Sequence, residues 1–176
     1  MKRLALFASV IAVLVATAMA ASAQTKTNFG GAWGLDKSKS QGLDQRMADL
    51  DVTWTINQDD SKIAIESKVT GGQAQGGGGM GGGRGPSGPR TYMLDGKEVT
   101  ADAGGQMGGT NTTKATWSGS TLELSSVRAG NFNGNDFKAT TLDKMSLSGD
   151  GKTLTVVRHS ESPRGTSDST MVFNKQ

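Results

Sequence analysis

Apolar and polar residues alternate with a period of two along much of the chain. Val52, Trp54 and Ile56 alternate with Thr53, Thr55 and Asn57, and Ile63 and Ile65 with Ala64 and Glu66. Leu122 and Leu124 alternate with Glu123 and Ser125, and Leu154 and Val156 with Thr153 and Thr155. Successive side chains of a strand point to opposite faces, so each segment reads as a half-buried strand. Threonine supplies much of the wet face, its branched Cβ suiting a strand and its hydroxyl suiting water. Turn chemistry separates the runs: Asp59-Asp60-Ser61-Lys62, Asp95-Gly96-Lys97, Ser118-Gly119-Ser120 and Ser148-Gly149-Asp150-Gly151-Lys152. The pattern predicts about ten strands, at 29–35, 51–58, 62–70, 90–95, 97–102, 112–118, 121–129, 137–148, 153–160 and 168–174. Only Leu43 to Leu50 carries helical spacing, with Leu43, Met47 and Leu50 on one side.

Successive short hairpins make antiparallel neighbours. The fold class is therefore all-β: an up-and-down antiparallel meander of about 8–10 strands. Closing into a barrel removes the exposed edges that a long meander leaves. The alternative is a two-sheet β-sandwich.

The first residues have a different character. Lys2 and Arg3 precede an apolar run from Leu4 to Ala16, broken only by Ser9, and then the small residues Thr17 to Ala23. A basic start, a short apolar middle and an Ala-x-Ala end are the parts of a secretory signal peptide. The run is shorter than the ~20 residues of a spanning helix. Cleavage is expected after Ala23, giving a secreted or periplasmic protein without a membrane anchor. Removing 23 of the 176 residues leaves a single domain of 153, residues 24–176. The 19 Lys and Arg fall to 17 against 16 acids, so the net charge drops from +3 to +1. A nearly neutral chain offers no basic surface for nucleic acid. Its apolar share falls from 34% to about 27%, enough to cover one face of each strand, as a single-layer barrel requires.

The absence of Cys excludes disulfides, thiol catalysis, Cys-bound zinc, iron–sulfur clusters and a lipoprotein anchor, and a single His excludes a multi-histidine metal site. The segment 71–90 holds eleven of the 26 Gly. A phosphate-cradling glycine loop needs a helix after it, whereas this tract runs into Pro86, Pro89 and a strand and contains no Lys. It reads as a flexible loop, and Gly104 to Gly109 as a second. If adjacent hairpins point the same way, the two flank one barrel mouth. Asn131 to Asp136 resembles half of a calcium loop but has Asp136 and Leu142 where Gly and Glu are needed. Asn111-Thr112-Thr113 is a glycosylation sequon. His159 falls out of phase with Leu154 and Val156 and so faces outward, and no Gly-x-Ser-x-Gly elbow accompanies it. No catalytic residue, metal ligand or cofactor is assigned.

Two arginines are in phase with apolar residues. Arg128 follows Leu122, Leu124 and Ser126, and Arg158 follows Leu154 and Val156. An inward Arg can clamp a carboxylate with two parallel hydrogen bonds, or it can pair with a nearby acid.

Gly31-Ala32-Trp33 resembles the Gly-x-Trp opening of lipocalin-like barrels, in which the Trp closes the barrel bottom under an arginine from a late strand. That resemblance makes Arg158 the candidate arginine. The chain more closely resembles a group of small exported bacterial proteins with lipocalin-like (calycin-type) β-barrels and no assigned activity. The shared wording is Asn28 to Trp33, Leu35 to Ser40, Asp95 to Lys97, Trp117 to Leu122, Leu147 to Val156 and Val172 to Lys175. The expected function is non-catalytic binding of a small hydrophobic or amphipathic, carboxylate-bearing ligand by a monomer, with Trp33, Trp54, Trp117, Arg128 and Arg158 as binding residues. One alternative is an envelope or surface interaction protein with a solid barrel and Gly-rich contact loops. A third is a weak hydrolase around His159.

Overall fold

The computed structural model describes residues 26–44, 47, 49–71, 88–103, 109–132 and 134–176. The proposed signal peptide, the centre of the glycine tract, residues 104–108 and much of the 43–50 helical expectation lie outside the described residues. Ten strands follow one another: β1 (Gly31–Leu35), β2 (Leu50–Gln58), β3 (Lys62–Gly71), β4 (Arg90–Met93), β5 (Val99–Asp102), β6 (Thr110–Ser118), β7 (Thr121–Phe132), β8 (Asn135–Leu147), β9 (Thr153–Ser162) and β10 (Gly165–Lys175). They form one antiparallel sheet in the order β4-β3-β2-β1-β10-β9-β8-β7-β6-β5. The period-two reading thus locates all ten. At the helical segment, Leu50 opens β2 and Met47 is buried against the core.

The terminal strands complete most of the circle, with Leu35 opposite Phe173 and Trp33 opposite Lys175. The break lies elsewhere. The Asp95-Gly96-Lys97 turn is expected to pair its flanking strands, but among the described residues β4 pairs only with β3 and β5 only with β6. The turn itself forms, with Asp95 Oδ1 accepting from the Lys97 amide at 3.0 Å and Gly96 at φ 79°. A different contact holds β4: the Thr113 hydroxyl of β6 donates to the Thr91 carbonyl at 3.1 Å. β5 contributes little to the core, with every residue exposed. The result is a barrel closed except for one seam between β4 and β5.

The two ends of the barrel differ. Strand directions put the 59–61, 94–98, 119–120 and 148–152 connections at one end. Aspartates organise three of these turns: the Asp59 carboxylate accepts from the Ser61 and Lys62 amides, Asp95 from Lys97 and Asp150 from Lys152. Each carboxyl is held below its usual range, Asp59 chiefly by the Ser61 hydroxyl, Asp95 by Lys97 and Asp150 by the Ser148 hydroxyl. The strand ends that bracket the two Gly-rich segments, Gly71 and Arg90, Asp102 and Thr110, all lie at the opposite end, here termed the mouth.

The core fills the closed end. Phe29, Trp33, Ile56, Ile63, Leu122, Leu124, Met145, Leu154, Val156 and Phe173 are fully buried. Their even or odd positions agree across every ladder: Leu122 faces Met145, Met145 faces Val156, and Val156 faces Met171. Trp33 seals this end, its indole N–H donating to the Phe29 carbonyl at 2.9 Å. The cation above its ring is Lys175, 5.4 Å from the centroid, and not Arg158. Trp33 and Lys175 are direct cross-strand neighbours, so the last strand supplies the charge that the resemblance assigned to Arg158.

Candidate functional site: two arginines on the inner wall

The inner wall turns polar toward the mouth. One row across four strands carries Leu124, Asp143, Arg158 and Ser169. The row above it carries Ser126, Thr141, Ser160 and Ser167. One step higher, Arg128 stands between Asn111 of β6 and Ala139 of β8. Arg128 is four residues along β7 from Leu124, or about 13 Å at strand rise.

Arg158 has its own anion. Its Nε donates to Asp143 Oδ1 and its Nη2 to Asp143 Oδ2, both at 2.7 Å. This is the two-pronged geometry of a strong charge-assisted pair. The guanidinium also lies 5.9 Å from the Trp54 ring centroid, within cation–π range. Burial works against the Arg158 charge, but the hydrogen bonds and attraction of Asp143 outweigh it and raise the pKa above its ordinary value. Asp143 is buried, with 6% exposure. The sequence alternative that Arg158 pairs with an acid is therefore what the structure contains.

Arg128 is built differently. Its Nε and Nη2 are buried and have no hydrogen-bond partner among the described residues. These are the same two nitrogens that grip Asp143 in Arg158. The guanidinium lies 5.9 Å from the Phe137 ring centroid, and Phe137 crosses over Gly130, where a Cβ would stand 2.9 Å from the ring edge. Aromatic packing thus orients the arginine while leaving its fork empty. A buried donor without a partner costs about 1–3 kcal/mol, more when charged, which sets Arg128 apart from Arg158. Beside it, Asn111 Oδ1 accepts a hydrogen bond from the Ser126 hydroxyl at 3.0 Å. Asn111 therefore lies on the inner wall.

The three tryptophans do not gather around Arg128. Trp33 is buried at the closed end. Trp117, paired with Leu122 at the same end, stacks on Phe29 at 6.1 Å and has a buried Nε1 without a partner among the described residues. Trp54 packs against Phe173 at 4.5 Å and beneath Arg158. It is the tryptophan nearest the polar wall in these contacts.

His159 faces outward, with Nδ1 2.6 Å from Asp168 Oδ1 and Nε2 3.3 Å from Glu161 Oε1. Both nitrogens meet carboxylates rather than a hydroxyl, so no serine nucleophile is in hand here. The two carboxylates, Asp168 foremost, raise the imidazole pKa above its ordinary 6.5. Asn131 to Asp136 is the β7–β8 hairpin: Asn131 Nδ2 donates to Asp136 Oδ1 and the Gly134 amide donates to Asn131 Oδ1. A groove of about 630 Å³ at the closed end is lined by Asn28, Gly31, Asp59, Lys62 and Lys175 among others, two lysines against one carboxylate.

Sequence reasoning found both arginines and missed Asp143, Asn111 and Ser126. Asp143 was signalled, being in phase with Met145 and Leu147 on the apolar side of β8. Asn111 was read only as part of a glycosylation sequon.

No protein-family model matches the chain, and no curated protein matches it. Among solved structures it is similar to zebrafish ileal bile acid-binding protein complexed with cholic acid, at 15% identity over 84% of this chain and 98% of that chain, with a TM-score of 0.49. That identity transfers no residue's role.

Proposed function

We propose that this protein is an exported, non-catalytic carrier or sensor of a small amphipathic carboxylate. It is cleaved after Ala23 and related to the exported bacterial barrels named above. The carboxylate is seated in the Arg128 fork, and the apolar part of the ligand lies toward Trp54 and the core. The carrying observation is the buried, unpartnered Nε and Nη2 of Arg128, on an inner wall whose other arginine already holds a carboxylate in that geometry. A carboxylate in the fork would satisfy both donors, and a neutral head group would not.

The test is tryptophan fluorescence of residues 24–176 titrated with decanoate, cholate and decanol. Saturable binding of the carboxylates, weakened in Arg128→Leu by about 10–100-fold while decanol is unaffected, supports the reading; the range follows from a charged hydrogen bond worth about 1.5–3 kcal/mol. No saturable change with any probe contradicts it and favours the solid-barrel alternative.

A further inference from the structure

We infer that Asn111 is a third arm of the anion seat and that Ser126 is the positioning residue that aims it. The inference rests on the reading of Arg128 as the seat and adds the groups that shape it. Asn111 and Arg128 are direct cross-strand neighbours on β6 and β7. Ser126 is one inner-face step below Arg128 on the same strand and stands opposite Thr113. Its hydroxyl donates to Asn111 Oδ1 at 3.0 Å.

An asparagine amide has one acceptor end and one donor end. The Ser126 hydroxyl donates to the acceptor end, which in this arrangement turns the amide N–H end away from Ser126. The donor end is then the one left to a ligand beside Arg128. Nε and Nη2 of Arg128 are also donors without partners. The cross-strand pair therefore presents mainly N–H groups: one lone pair of Asn111 Oδ1 is taken by Ser126, and a guanidinium has no lone pair to offer. Ala139, the other neighbour of Arg128, contributes no polar side-chain atom.

A corner rich in donors selects acceptors. It favours a carboxylate, whose two oxygens accept along several lone-pair directions, over an amide or alcohol, each of which brings a proton that meets mainly donors there. Ser126 need not touch the ligand. Its effect passes through the orientation of Asn111.

The experiment measures dissociation constants for decanoate and decanol on residues 24–176 carrying Asn111→Asp, Asn111→Ala, Ser126→Ala or Ser126→Thr, with Arg128→Leu in parallel. Asn111→Asp replaces a donor by a negative acceptor and should weaken decanoate ~100-fold. Asn111→Ala should weaken it ~5–10-fold. Ser126→Ala frees the amide to turn and should cost ~3–5-fold, with Ser126→Thr restoring binding and decanol indifferent throughout. The Asn111 side-chain amide resonance should also shift in Ser126→Ala and return in Ser126→Thr. Asn111 and Ser126 variants that bind decanoate like the unaltered chain, while Arg128→Leu does not, overturn this inference and leave the seat at Arg128 standing. Arg128→Leu binding decanoate normally removes the underlying reading as well.

Discussion

Arg158 and Arg128 are the same residue type on the inner wall of the same barrel, and they differ in what stands opposite. Arg158 faces Asp143 across β8 and β9, and its fork is filled by the protein's own carboxylate. Arg128 faces Asn111 and Ala139, and the matching edge of its fork is empty. The first arrangement stabilises the barrel. The second leaves two buried donors without a partner among the described residues, and these are the donors that the proposed carboxylate would satisfy. The contrast separates an arginine with an internal carboxylate from one without a partner among the described residues, and the proposed seat rests on it.

The largest expected effect comes from emptying the filled fork. Asp143→Ala leaves Arg158 without its buried partner and should lower unfolding stability by about 3 kcal/mol, as breaking a buried pair does, in urea denaturation. The converse is to fill the empty fork. Ala139→Asp places a carboxylate directly across from Arg128, as Asp143 is from Arg158. It should raise stability by about 1 kcal/mol and abolish decanoate binding. Wild-type affinity in that variant would mean the fork is not the seat.

A smaller effect is expected at the outer face. The His159 pKa is raised, so its interaction with Asp168 and Glu161 is fully present below the unfolded pKa of ~6.5. That contribution is lost as pH rises through the higher folded value. Unfolding midpoints should therefore show a shallow loss from near neutrality upward, and His159→Gln should flatten it. The effect should be weak because His159 is exposed, and decanoate affinity should not follow it.

The strands were legible because one buried face imposes a strict alternation, and Val52-Trp54-Ile56 or Leu154-Val156 display it without help from distant residues. The seam was not legible. Asp95-Gly96-Lys97 encodes a turn, but whether the strands beside it pair depends on what their edges find, and the Thr91 carbonyl finds the Thr113 hydroxyl. The phase of Arg128 and Arg158 announced that both point inward. Which of them is paired depends on the register of β8 against β9, which sets Asp143 opposite Arg158 rather than beside Arg128. Register is a property of the assembled sheet, so the paired arginine and the one without a partner among the described residues look alike in the sequence.

The most direct test of the account follows the Nε–H resonances of Arg128 and Arg158 by nitrogen-15 NMR during a decanoate titration of residues 24–176. The account predicts a saturable shift of the Arg128 resonance, little change at Arg158, and no response of either to decanol. Movement of neither arginine, or of Arg158 alone, would contradict it.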